Sequence, residues 1–224
     1  MSCLEKIASG KLSGDPTSLC RGSVDGNTGV TAPTDEKTAD RISKAIEKFG
    51  TTLGKKCDAP ELAALDACAA THDGVVDCMT TRAATTAIRM TSLAFGEVQS
   101  ISDPEIRSCQ KTIGKQAVGY VTTVIKAMES CLGLVNDGKL AGDAQVQCLG
   151  ADGAGLTLPA HKQASSNVAG AGMKLETTIE DSCPGAVAAP LDACSDDAGG
   201  IVRCLECSGW REAIEMIRST FGPS

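Results

Sequence analysis

The sequence predicts an all-α protein of two tandem disulfide-stapled helical repeat units, the second lacking its last helix. Three observations carry the prediction: cysteines that recur at a fixed displacement, helical apolar stripes, and the lack of any window of four to eight residues that alternates as a strand. Cys57, Cys68, Cys78 and Phe95-Gly96 return as Cys183, Cys194, Cys204 and Phe221-Gly222, each 126 positions on. Ala63, Leu65-Asp66-Ala67, Gly74, Val76, Ala87-Ile88 and Met90 match Ala189, Leu191-Asp192-Ala193, Gly200, Val202, Ala213-Ile214 and Met216 at the same displacement. Upstream, the run from Cys3 to Cys20 mirrors that from Cys131 to Cys148 at 128, so a two-residue length difference belongs in the loop that follows.

The elements follow in order. Gly-rich stretches at 9–30 and 137–157 read as loops held by a neighbouring bridge. Thr34 caps a helix running towards Cys57, with Ile42, Ala45, Ile46, Phe49 and Leu53 on one face; Pro159-Ala160 opens its equivalent, carrying Val168, Ala171, Gly172, Leu175 and Ile179 towards Cys183. Pro60 starts a short helix through Cys68. Gly74 and Gly199-Gly200 precede helices that end at Phe95-Gly96 and Phe221-Gly222, with glycine at the usual terminal position. Asp103, Pro104 and Glu105 form a strong start signal for a long helix whose stripe is Ile106, Cys109, Ile113, Ala117, Tyr120, Val124, Ala127 and Cys131.

The cysteine phase divides the chain into unit one, 1–130, and unit two, 131–224. The long stretch 104–130 leads into Cys131, whereas two residues precede Cys3, so the first copy is short of its leading helix. The expectation is either a piece of a longer array or a chain permuted so that neighbours complete each other.

Twelve cysteines, an even number at repeating spacings, read as a disulfide framework made in an oxidising compartment: Cys3, Cys20, Cys57, Cys68, Cys78 and Cys109 in unit one, and Cys131, Cys148, Cys183, Cys194, Cys204 and Cys207 in unit two. The most economical of the many possible pairings is Cys3–Cys20, Cys57–Cys68 and Cys78–Cys109, repeated as Cys131–Cys148, Cys183–Cys194 and Cys204–Cys207. Only Phe49, Phe95, Tyr120, Trp210 and Phe221 are aromatic. The core is therefore thin, and covalent closure is expected to supply much of the stability.

Composition also excludes functions. A net charge of −7 opposes nucleic-acid binding, which needs a basic surface. No run of roughly 18 apolar residues marks a membrane span, and residues 1–30 contain no apolar signal segment. Cys204-Leu205-Glu206-Cys207 has redox spacing without a βαβ context, and Ser208 stands where haem attachment requires histidine. Cys68, His72 and Cys78 could gather round a soft metal, but Ala198 replaces His72 in the repeat and His161 is the other histidine. The acidic turns with Asp15, Asp25 and Asn27, and with Asn136, Asp137, Asp143 and Asp152, do not follow an EF-hand pattern. The expectation is no metal, no cofactor and no catalytic constellation.

The segments IGKQAVGYVTTVIKAMESC, GKLAGD, CPG and CLEC, spread over most of 105–224, resemble exported bacterial cysteine-rich helical repeat proteins. That resemblance implies export and repetition, without an activity or any site residue. The functional expectation is a secreted or cell-surface structural or interaction protein, a filament or surface-layer subunit that self-associates head to tail through residues 1–20 and the helix ending at Phe221, by way of Ile7 and Phe221. The alternative is a carrier of a small apolar ligand in a cavity lined by Ile46, Phe49, Ile113 and Val124.

Overall fold

The computed structural model describes residues 3–25, 29–64, 69–96, 101–152, 155–191 and 194–221. They are mostly helical: α1 (Cys3–Ala8), α2 (Glu36–Lys56), α3 (Ala59–Ala64), α4 (His72–Phe95), α5 (Pro104–Asn136), α6 (Lys162–Ser182), α7 (Gly185–Ala188) and α8 (Ala198–Phe221). The long helices start where capping chemistry allows. Asp103 accepts from the amides of Glu105 and Ile106, with Pro104 needing no partner, and Thr71 accepts from Gly74 at the head of α4. In α2 the cap is Asp35, which accepts from Thr38, rather than the expected Thr34; the Thr34 hydroxyl instead donates to the Ser18 carbonyl at 3.2 Å.

The centre of the molecule is α5. Its stripe of Cys109, Ile113, Ala117, Tyr120, Val124, Met128 and Cys131 is buried, together with Val121 and Leu132 on its flanks. It packs on α6 and α8, and at its start on the end of α4, where Gly114 makes room for the Phe95 ring. Each such aliphatic side chain contributes about 1.5–3 kcal/mol by leaving water. By length and composition α5 could cross a membrane, but this stripe is the protein's own core. α4 and α8 cross antiparallel: Met79 meets Thr220 and, further along, the buried Glu212 accepts from Thr86 at 3.2 Å and from Arg89 at 3.0 Å.

The two Gly-rich stretches, expected as loops without strands, contain regular structure. Each holds a π-helical turn, Thr17–Arg21 or Gln145–Leu149, followed by a small antiparallel hairpin, β1 (Ser23–Asp25) with β2 (Gly29–Thr31) and β3 (Ala151–Asp152) with β4 (Gly155–Leu156). Strands of two or three residues are too short to leave a period in the sequence. Gly22 at φ 71° and Gly150 at φ 63° open them, and a Cβ on either would strike a backbone oxygen, of Thr31 or of Thr157. Gly22 and Gly150 are 128 apart and Thr31 and Thr157 are 126 apart, so the length difference lies within the hairpins.

Cys3–Cys20 and Cys131–Cys148 are bonded, each with Cα atoms 5.4 Å apart, and each ties a π-helical turn to the helix before it. The other pairings require correction. Cys109 bonds Cys183, not Cys78, and Cys194 bonds Cys204. The reason is tertiary: α6 runs back along α5, bringing its C-terminal Cys183 to the second turn of α5, while Cys204 lies in the second turn of α8 beside the segment that carries Cys194. Cys57 and Cys207 are free thiols, so neither joins the framework. Cys78 is disulfide-bonded. Cys68 and Asn27 lie outside the described residues. The division at 130/131 falls inside the unbroken α5.

Candidate interaction groove

α2 is strongly amphipathic, yet none of its residues is buried. Its apolar face, Ile42, Ala45, Ile46 and Phe49, lines an open groove of about 550 Å³. The opposite wall is α4, with Met79, Ala83, Ala84, Ala87, Ile88 and Thr91; Val30–Pro33, Leu4 and Met216 of α8 close the ends. Ile46 and Phe49 are thus where the carrier reading expected them. Ile113 and Val124 are not, being wholly buried beneath α6 and α8.

The counterparts of these wall residues are covered. On α8, Leu205, Ala213 and Ile217 correspond to Met79, Ala87 and Thr91 and are at most 1 % exposed. On α6, Val168 and Leu175 correspond to Ile42 and Phe49 and are at most 2 % exposed. The covering element is α5: a Cβ on Gly209, counterpart of the exposed Ala83, would sit 3.0 Å from both Tyr120 and Val121. Met90 is buried at 3 % on the covered side, whereas its counterpart Met216 is half-buried and lines the groove.

Polar groups sit at the groove's margins. Arg21 donates to the carbonyls of Gly96 at 3.2 Å and Thr91 at 3.5 Å, satisfying the C-terminal end of α4. Its Nε is buried without a hydrogen-bond partner. Burial pushes the guanidinium below the usual arginine range, with Asp15 opposing. His72 joins the two walls: Nδ1 lies 2.9 Å from Asp73 and Nε2 lies 2.9 Å from the Gly50 carbonyl of α2. These contacts raise its pKa, Asp73 first and Gly50 second, with desolvation opposing.

The remaining predicted chemistry separates in space. Both ring nitrogens of His72 are engaged by protein groups, and among the described residues no three His, Cys, Asp or Glu side chains gather to hold a metal ion. Cys204 is consumed by Cys194, so Cys204 and Cys207 form no dithiol pair. His161 precedes α6 with its Nδ1 buried and unpartnered. The acidic positions Asp15 and Asp143 accept from the amides that open the π-helical turns, at 2.7 Å from Ser18 and from Gln145 respectively. Near Tyr120, burial and then Glu206 raise the phenol, and burial and then Glu176 raise the Glu206 carboxyl. Ile7, expected at an exposed association surface, is in the core at 5 % exposure.

The four disulfide pairs among the described residues fit an oxidising or extracellular compartment. No protein-family model, curated protein or solved structure matches the chain.

Proposed function

We propose that the chain is a secreted or cell-surface structural or interaction protein without catalytic activity, built of two tandem units, and that it joins a neighbouring unit head to tail through the α2/α4 groove. The carrying observation is the groove itself. An apolar cleft of about 550 Å³ is flanked by a 21-residue helix that buries nothing, and contiguous exposed apolar surface generally marks a partner site. The tandem reading rests on the cysteine phase. It is supported by the matched bridges Cys3–Cys20 and Cys131–Cys148, and by Thr86 meeting Glu212, residues 126 apart, where α4 and α8 cross. In this reading α5 is the leading helix of the second unit, and α1 corresponds to the last turns of such a helix, Cys131–Asn136.

Sedimentation at micromolar concentration tests the association. A species larger than the monomer that is dispersed by Ala83→Asp supports it, with helicity unchanged because Ala83 is exposed. A monomer indifferent to that substitution refutes it. A second reading, carriage of an apolar acid, is favoured by the unpartnered Arg21 Nε beside a groove of ligand size, within roughly 300–1,000 Å³. A fatty-acid probe that binds the monomer and is displaced by Ala83→Asp would select it.

A further inference from the structure

We infer that the α2/α4 groove is the seat of a helix of the α5 type, delivered in trans by a neighbouring unit, and that a cysteine in the second turn of that helix, arriving as a mixed disulfide with a small thiol, forms a disulfide with Cys57 by exchange, the small thiol leaving. The inference rests on the two-unit reading and names the partner that reading leaves open. Three independent features of the covered half specify the occupant. The first is the seat: the residues α5 covers on α6 and α8 are the residues whose counterparts line the groove. The second is the thiol. Cys183 ends α6 as its C-cap and is bonded to Cys109 of α5, while Cys57 ends α2 in the same way, its amide on Leu53 as that of Cys183 is on Ile179, and is free. The third is continuity. α1 already lies beside Cys20 as the last turns of α5 lie beside Cys148, so an occupant finishing at α1 would repeat the path of α5.

The walls also state what the occupant must carry. Tyr120 packs on α8 because Gly209 has no Cβ; Ala83 has one, and it would meet that ring at about 3.0 Å. Ile46 and Phe49 likewise replace the smaller Gly172 and Leu175. The groove therefore selects a helix with smaller residues along the seam than α5 itself has, apolar throughout, and with its cysteine towards the N-terminal end.

A synthetic peptide of residues 104–130 with Tyr120→Ala is the probe, its Cys109 held as a mixed disulfide with glutathione. The Cys57 thiolate attacks the peptide sulfur; the protein–peptide S–S bond forms, the peptide–glutathione bond breaks, and glutathione leaves as the thiolate that takes up the proton Cys57 lost. Docking raises the local concentration, so the adduct at Cys57 should form roughly tenfold or more faster than at the exposed Cys207 of the same molecule. Ala83→Arg, a scrambled peptide, or restoring Tyr120 should each slow the Cys57 reaction. Equal rates at the two thiols, or a Cys57 rate indifferent to Ala83→Arg and to scrambling, overturn the inference. Sedimentation of the protein alone separates this from the broader reading. A dimer that excludes the peptide puts a second copy in the groove and overturns the α5-type occupant, leaving self-association intact. A monomer that captures the peptide removes self-association and sustains the seat.

Discussion

α6 and α2 are helices of the same length at matching places in the sequence, and they have opposite fates. α6 buries Ala164, Val168, Gly172, Leu175 and Ile179 under α5 and is welded to it by Cys109–Cys183. α2 buries nothing, touches mainly α4, and ends in a free thiol. The difference does not reside in the two helices, since both carry an apolar face. It resides in whether a third helix covers that face, and it shows that amphipathicity specifies a surface to be covered without saying by what.

Removing the weld should have the largest effect. The Cys109–Cys183 bridge closes a loop of 74 residues, which the chain-entropy model values at roughly 4 kcal/mol. Replacing both cysteines by alanine should lower the melting temperature by about 10 °C, whereas Cys57→Ala should leave it unchanged. Alkylation of the unreduced protein should label Cys57 and Cys207 and spare Cys109 and Cys183; labelling of the latter pair would contradict the staple.

Next in size are the matched core truncations. Leu175→Ala should cost about 2–5 kcal/mol by opening a cavity between α5 and α6. Phe49→Ala, at the counterpart position but half-buried, should cost less than about half as much in denaturant titrations. A Phe49→Ala effect as large as that of Leu175→Ala would mean that the groove is closed in solution. Arg89→Ala should cost about 1 kcal/mol or less, because the arginine is mostly exposed although its partner Glu212 is buried.

The smallest effect is one of pH. His72 in the folded chain titrates above its ordinary value, so its contribution to holding α2 on α4 is complete below the unfolded imidazole's pKa and is lost as pH rises through the folded one. Melting curves should fall slightly between about pH 6 and 8, and His72→Gln should flatten that slope; an unchanged slope would place the titration elsewhere.

Much of the fold could be read because it is local. The α5 stripe, its Asp103-Pro104 start, and the bridges spanning 17 residues all follow from spacing along one segment. Cys109–Cys183 could not, since it depends on α6 folding back along α5, and neither could the free state of Cys57, which depends on a helix that does not reach it. Hairpins with strands of two or three residues leave no period. Ile113 and Val124 were expected in a cavity because a stripe on α5 reads the same whether it faces a void or α6 and α8. The groove was half legible, through Ile46 and Phe49; its other wall, Ala83 and Ala87, reads as an unremarkable small-residue stretch until compared with Gly209 and Ala213.

Hydrogen exchange compares the two halves within one molecule. Segments containing Leu175 of α6 and Phe49 of α2 are followed together in the unreduced protein. α2 should exchange by local opening, far faster than α6, whose protection should approach that of the global core. Equal protection of α2 and α6 in the isolated monomer would mean that the face of α2 is covered after all, and would contradict the claim that one seat is filled and the other open.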